Sequence, residues 1–113
     1  DVVASRYGVK MQGCTSIALT KLDVLSYMKE IPVCTQYEVN GEKTDDFPFT
    51  AVIDEAKPVL TTVPGWGCDI SGVRKYEDLP QAARDYVEYV EKAIGVHISY
   101  VSVGAGRDEI IYR

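Results

Sequence analysis

The pattern of apolar and polar residues divides the chain into short strands and helices. Residues 31–39 alternate between apolar and polar positions, which predicts a strand with one buried face. The dipeptide Asn40-Gly41 follows at once and supplies the positive φ angles of a tight turn. A hairpin with a short return strand over residues 42–44 is therefore predicted. Apolar runs rich in β-branched residues predict further strands at 16–20, 57–63 and 96–103.

The strongest helical pattern lies between Pro80 and Gly95. Pro80 suits the first turn of a helix, and Gly95 suits a left-handed cap at its end. Glu88 and Lys92 are four residues apart, with the acidic residue first, which stabilises an exposed helix face. Apolar residues recur at spacings of three and four, as one buried stripe requires: Ala83, Tyr86, Val87, Val90 and Ile94.

Two shorter helical segments complete the pattern. Residues 2–7 are typical of the end of a helix that begins further upstream. Residues 24–28 predict a short helix, with Asp23 as its N-cap. Since strands and helices are interspersed along a chain of 113 residues, we expect one mixed α/β domain over residues 1–113. The chain starts with Asp1 and not with Met, so we expect it to come from a larger protein.

Composition narrows the class of protein. The net charge is −5 and no basic stripe is visible, which disfavours nucleic-acid binding. No stretch approaches the roughly 20 apolar residues of a membrane span. The three cysteines form no Cys-x-x-Cys pair, which argues against a disulfide framework or structural zinc and favours a reduced, cytoplasmic location. His97 is the only histidine and is interpreted as a residue on a strand surface.

Residues 20–23, Thr-Lys-Leu-Asp, form the first candidate binding motif. They follow a predicted strand at its C-terminal end, where ligands bind in open α/β sheets. Guanine presents its N1–H and N2 amino donors side by side, and a carboxylate such as Asp23 accepts from both. The stem of Lys21 could lie along the base, with its ammonium near the ring face. The alternative is an exposed lysine followed by a helix-capping aspartate, with no ligand.

Residues 102–104, Ser-Val-Gly, form the second candidate motif, at the end of the last predicted strand. Backbone N–H groups in such a turn can donate to a base carbonyl, and Gly104 permits close approach. The alternative is an ordinary turn that ends a strand. Gly-Ala-Gly at 104–106 is not a dinucleotide fingerprint, because residues 107–113 are too few for the helix that must follow.

Other conspicuous residues are interpreted structurally. Trp66, in a Val-Pro-Gly-Trp turn, is interpreted as a packing residue that covers a core. Asp45-Asp46 could suggest a metal pair, but no third ligand lies nearby in sequence, so a solvated turn is predicted. The chain contains no P-loop, no nucleophile elbow and no His-Glu-x-x-His motif.

The two candidate motifs, with their surroundings, resemble adenylosuccinate synthetases. The resemblance covers essentially the whole chain and corresponds to the C-terminal portion of a family enzyme. Ala105 is one departure, because the family often has proline at this position. The motifs that agree in order and spacing are residues 18–25 (ALTKLDVL), 30–34 (EIPVC), 63–66 (VPGW), 79–83 (LPQAA), and 102–104 (SVG) with Arg107-Asp108.

The resemblance implies both a fold and an activity. The fold would be the C-terminal part of a larger P-loop-like α/β enzyme with a mostly parallel central sheet. The activity would be a GTP-dependent ligase, a cytoplasmic homodimer that joins IMP and L-aspartate with Mg²⁺. By this resemblance Lys21, Leu22 and Asp23 line the guanine pocket. Residues 102–104 (Ser102, Val103 and Gly104) close it, through backbone donors. The catalytic residues and the Mg²⁺ ligands are expected outside this stretch.

Two other hypotheses remain open at this point. The chain could be a stand-alone guanine-nucleotide-binding module, or a structural domain in which residues 20–23 merely start a helix. The lack of a phosphate-binding loop argues against the stand-alone module, because triphosphate affinity would then be poor.

Overall fold

A computed structural model describes all residues 1–113. It contains two sheets, and both candidate motifs lie at the C-terminal ends of strands in one of them. In this sheet β1 (Ser16–Leu19) pairs in parallel with β5 (His97–Ser102). β6 (Ile110–Tyr112) lies antiparallel on the other side of β5. Because β1 and β5 run parallel, their C-terminal ends meet at the same edge of the sheet. β6 was not predicted, since three residues beyond a glycine-rich turn show no measurable periodicity.

The second sheet is antiparallel, with β2 (Glu30–Val39) between β3 (Glu42–Thr44) and β4 (Lys57–Pro64). The predicted hairpin is confirmed: Asn40 and Gly41 both have positive φ angles, 52° and 82°. The prediction that alternate residues of β2 face opposite sides holds only for its first half.

A bulge in β2 causes this departure. The register with β4 shifts between Cys34 and Gln36, so one residue of β2 has no partner there. Val33 and Cys34, which come just before the bulge, are both buried although they are adjacent in sequence and were predicted on opposite faces.

The hydrophobic core lies between α2 (Gln81–Ile94) and the first sheet. The predicted limits of α2 are confirmed, with Pro80 before its first residue and Gly95 ending it at φ 81°. Four of the five residues in the predicted stripe are buried, and Tyr86 is half-buried. From this sheet and its connections the core receives Leu22, Ile70, Leu79, Ile98, Val101, Val103 and Ile111, and it also includes Val2 near the N-terminus and Val33 of β2 in the second sheet. The mixed α/β class is therefore confirmed.

Helix α1 (Val2–Gln12) is longer than the pattern predicted, because Gly8 interrupts its apolar face. The carboxylate of Asp1 accepts from the N–H of Ala4 at 3.0 Å and so caps the helix. The other oxygen of that carboxylate accepts from the hydroxyl of Tyr37 on β2. Arg6 donates to the carbonyl of Ala93 at 3.1 Å, which joins α1 to α2. Neither helix has the length and apolar character needed to cross a membrane.

Candidate functional site

The ends of β1 and β5 bring the two candidate motifs into contact. The backbone N–H of Lys21 donates to Oγ of Ser102 at 3.4 Å, across a sequence separation of 81 residues. Oγ of Ser102 in turn donates to the carbonyl of Gly104 at 2.9 Å. A single hydroxyl therefore connects the loop after β1 to the turn after β5, and the two motifs form one edge of the molecule.

The segment after β1 is a 3₁₀ turn, Leu22–Leu25, and the predicted helix over residues 24–28 is wrong. Asp23 is not its N-cap: Lys21 takes that place, with left-handed dihedral angles of φ 60° and ψ 38°. Asp23 lies in the first turn, and it has no side-chain bond to the backbone that would cap the turn. A left-handed conformation is strained for a lysine and concentrates at ligand sites and sharp turns.

The side chain of Asp23 has a buried oxygen without a partner. Its Oδ1 is inaccessible to solvent and accepts no hydrogen bond from the protein, although the residue as a whole is half-buried. Leaving a buried acceptor unsatisfied costs about 1–3 kcal/mol, and more for a charged group. A ligand N–H that reached this carboxylate would offset the cost, which makes the side chain of Asp23 a candidate acceptor.

Leu22 and Val103 belong to the core, unlike the other four candidate residues. Their exposed fractions are 1% and 0%, so only their backbone atoms can face a ligand. The N–H of Val103 already donates to the carbonyl of Glu109 at 2.9 Å. The N–H of Gly104 has no acceptor in the protein, and neither has that of the exposed Ala105. The backbone donors that this turn offers to a ligand are therefore those of residues 104 and 105.

Glu109 holds this turn and was missed by the sequence analysis. It lies in a 3₁₀ turn, Arg107–Glu109, directly before β6. Its Oε2 accepts from the N–H of Gly106 at 2.5 Å. The spacing Gly-x-x-Glu is that of a capping box, in which the fourth residue reaches back to the first backbone N–H. The Gly-x-x-Glu spacing is therefore the sequence feature that could have identified Glu109 as a residue that holds the turn.

The loop after β4 supports the 3₁₀ turn that carries Asp23. Nε1 of Trp66 donates to Oγ of Ser26 at 3.0 Å. The Trp66 ring also packs against Tyr86 with a centroid separation of 5.9 Å, so its predicted packing role is confirmed. Gly65 lies so close to Met28 that an added Cβ would be 2.9 Å from the carbonyl carbon. Only glycine allows this close approach of the two backbones.

A second polar cluster lies at the opposite end of β5. Oε2 of Glu91 accepts from Arg113 at 2.5 Å and from the N–H of Ile98 at 2.7 Å, and Nδ1 of His97 lies 2.9 Å from the same oxygen. Burial by itself would raise the pKa of Glu91, but these hydrogen bonds and the positive charges beside it lower that pKa overall. His97 is exposed at the strand surface, as predicted. The cluster anchors the chain end and lies away from both candidate motifs.

No group of three or more His, Cys, Asp or Glu side chains is placed to hold a metal ion. Asp45 and Asp46 are exposed, and Asp45 accepts a hydrogen bond from Gln36. Neither aspartate therefore belongs to a group of three possible metal ligands. The largest cavity, about 470 Å³, is a mostly apolar groove between α1, β1 and α2. None of the six candidate residues lines it.

Comparison with known proteins gives one consistent family. The sequence model of the adenylosuccinate synthetase family matches residues 1–111. The adenylosuccinate synthetase of Mycolicibacterium smegmatis is 47% identical over 114 residues, and that of Frankia alni is 45% identical over 112. The first match covers 100% of this chain and the second covers 98% of it. Each match covers only 26% of the relative. The chain thus spans about a quarter of the length of the curated relatives it matches.

A solved structure gives the same result. The chain superimposes on a fully ligated adenylosuccinate synthetase from Plasmodium falciparum with a TM-score of 0.93 and 30% identity. The match covers 100% of this chain and 28% of that one.

Proposed function

This chain belongs to the adenylosuccinate synthetase family, and on that premise we propose that it recognises the guanine base of GTP within a GTP-dependent ligase. The complete enzyme would join IMP and L-aspartate to give adenylosuccinate, with GDP and phosphate as the other products. The observation that carries the proposal is the half-buried carboxylate of Asp23, whose Oδ1 has no partner in the protein, at the strand end that Ser102 ties to the turn with the free N–H of Gly104.

The carboxylate of Asp23 has the chemistry to select guanine. It only accepts hydrogen bonds, and guanine offers two parallel donors, N1–H and the N2 amino group. Adenine has an acceptor at N1 and no amino group at position 2, so its binding would leave the carboxylate unsatisfied. A site built around a buried hydrogen-bonding group discriminates strongly against a base that lacks the matching group.

The turn after β5 complements this selection at position 6 of the purine. Guanine has a carbonyl oxygen there, which the N–H of Gly104 can bind, whereas adenine has an amino group. Lys21 is exposed, and its aliphatic stem can cover one face of the base. In this proposal the side chains of Leu22 and Val103 fix the backbone from within the core, and they do not touch the base.

The remaining features of the enzyme lie outside these residues in the proposal. Phosphate binding, the catalytic groups and the Mg²⁺ ligands would come from other parts of the protein, because this chain has no phosphate-binding loop and no metal cluster. We therefore expect the isolated chain to be inactive. A homodimeric state and a cytoplasmic location are predictions from the family.

Nucleotide selectivity of Asp23→Asn tests the proposal in the full-length enzyme. The same substitution can be tested in a chimera in which this chain replaces the matching segment of the Mycolicibacterium smegmatis relative. An amide retains one acceptor but turns a donor toward the N2 amino group of guanine. We expect KM for GTP to rise about tenfold or more, as for loss of a hydrogen bond to a charged group. Use of XTP should improve, since xanthine has a carbonyl at position 2, and KM for IMP should stay unchanged.

Asp54→Asn is the matched control. Asp54 also lies in the first turn of a 3₁₀ helix, Ile53–Glu55, but it is exposed and distant in sequence from both motifs. Its substitution should leave GTP, ITP, XTP and ATP kinetics unchanged. If Asp23→Asn behaved like this control, the guanine assignment would be refuted and a structural role for residues 20–23 would remain.

A further inference from the structure

Glu109 makes three hydrogen bonds that determine the shape of the turn between β5 and β6. Its carbonyl accepts from the N–H of Val103 at 2.9 Å, and its carboxylate accepts from the N–H of Gly106 at 2.5 Å. The N–H of Glu109 itself donates to the carbonyl of Gly106 at 3.1 Å. One residue therefore closes both ends of the segment that includes Gly104 and Ala105.

The same carboxylate packs directly against Gly104. A Cβ added to Gly104 would lie 2.5 Å from each of the two Glu109 carboxylate oxygens. Real Cβ atoms do not make contacts this short, so the glycine and the carboxylate occupy complementary space. A side chain at position 104 would displace the Glu109 carboxylate, and removal of that carboxylate would leave Gly104 free to move.

The hydrogen bonds of Glu109 also decide which donors remain available. Of the consecutive N–H groups at residues 103–106, Glu109 uses the first and the last. Those of Gly104 and Ala105 are left between them without an acceptor in the protein. Adjacent free N–H groups in a fixed turn form a small concave site for an oxygen acceptor.

We propose that Glu109 is a positioning residue that aims the N–H of Gly104 at the carbonyl oxygen of the bound base. This inference rests on the proposed function, because it presumes that the turn faces guanine. Glu109 would not touch the nucleotide. Its carboxylate is directed to the N–H of Gly106, so its negative charge is satisfied within the turn and does not oppose the carbonyl oxygen of the base.

The fold does not depend on this carboxylate. β6 is held by its pairing with residues 100–102 of β5 and by the burial of Ile111. The bond of Arg113 with Glu91 secures the end of the strand. Loss of the Glu109 side chain should therefore loosen residues 103–106 and leave the sheet in place.

Steady-state kinetics of Glu109→Ala in the full-length enzyme tests this role. We expect KM for GTP to rise about tenfold, the effect of losing one charge-assisted hydrogen bond, with kcat and KM for IMP unchanged. Glu109→Gln should restore KM for GTP, because its amide oxygen can still accept from Gly106. Glu109→Asp, one methylene shorter, should behave like the alanine variant. Asp78→Ala, which removes an exposed carboxylate from a different 3₁₀ turn, Tyr76–Asp78, is the matched control and should leave all three parameters unchanged.

Two results would overturn the proposal. One is an unchanged KM for GTP in both Glu109→Ala and Glu109→Asp. The other is an equal loss in kcat and in the KM values of GTP and IMP that glutamine does not rescue, since this indicates a general structural role. If Asp23→Asn shifts nucleotide selectivity while the Glu109 variants are silent, the guanine site stands and only the role of Glu109 is wrong. If neither residue affects GTP use, the proposed function itself fails.

Discussion

Lys21 and Ser102 are joined through a single hydroxyl group. The N–H of Lys21 donates to Oγ of Ser102, and that hydroxyl in turn donates a hydrogen bond to the carbonyl of Gly104. The hydroxyl is thus engaged as both acceptor and donor, and it keeps the end of β1 at a fixed distance from the turn after β5. In the proposed pocket, Ser102 would act by holding the two loops together.

Ser102→Ala should weaken nucleotide binding through the loss of this bridge. The substitution removes the acceptor for Lys21 and the donor to Gly104, each bond contributing about 0.5–1.5 kcal/mol. We expect KM for GTP to rise several-fold, with kcat and KM for IMP little changed, in kinetics of the full-length enzyme.

Ser99→Ala is the control for the serine bridge. Ser99 lies on the same strand, and its hydroxyl contacts that of Ser16 at 2.5 Å, at the opposite end of the β1–β5 pair. Its loss should affect stability alone. Equal effects of the two substitutions on KM for GTP would show that the bridge at Ser102 has no special relation to the nucleotide.

Leu22→Ala should act mainly on stability. The side chain is 1% exposed and belongs to the same core cluster as Val101 and Val103. Truncation of a buried leucine costs about 2–5 kcal/mol. Unfolding of the full-length enzyme by urea, followed by circular dichroism, measures this loss.

Leu22→Met and Val24→Ala separate packing from binding. Methionine keeps most of the buried volume, so KM for GTP should stay near the wild-type value. Val24 is in the same turn but is 53% exposed, so its truncation should cost much less stability than that of Leu22. A large rise in KM for GTP in Leu22→Met, with stability preserved, would indicate that this side chain contacts the base after all.

Glu91 should make stability depend on pH in the acid range. Its pKa in the folded protein is lowered from the ordinary value of 4.5. Since the folded state binds this proton less readily than the unfolded state, the stabilisation is complete above about pH 4.5 and is lost as the pH falls through the lower folded pKa. Urea unfolding at pH 7, 5 and 3.5 measures the effect.

Glu91→Gln should show a weaker decline of stability between pH 5 and pH 3.5 than the wild type. Glu88→Gln, on the exposed face of the same helix, should retain the wild-type decline. If Glu91→Gln retained it too, the acid sensitivity would have to come from other carboxylates.

Helix α2 and the β2–β3 hairpin could be read from the sequence because their signals are local. Residues three and four apart on α2 share one face whatever surrounds them, and Asn40-Gly41 favours a tight turn in any context. The first turn after β1 was predicted wrongly for the opposite reason. Asp23 matches the preference for an N-cap, but the packing of Leu22 in the core and the left-handed backbone of Lys21 override that preference.

The sequence by itself determined the helix, the hairpin, the approximate strand limits and, through its resemblance to a family, the residue types suited to guanine. Only the tertiary structure decided that residues 20–23 and 102–104 lie side by side, because the parallel pairing of β1 and β5 joins segments about 80 residues apart. It also decided which polar groups remain unpaired. Whether Oδ1 of Asp23 or the N–H of Gly104 is free depends on every neighbouring donor and acceptor, and those neighbours come from distant parts of the chain.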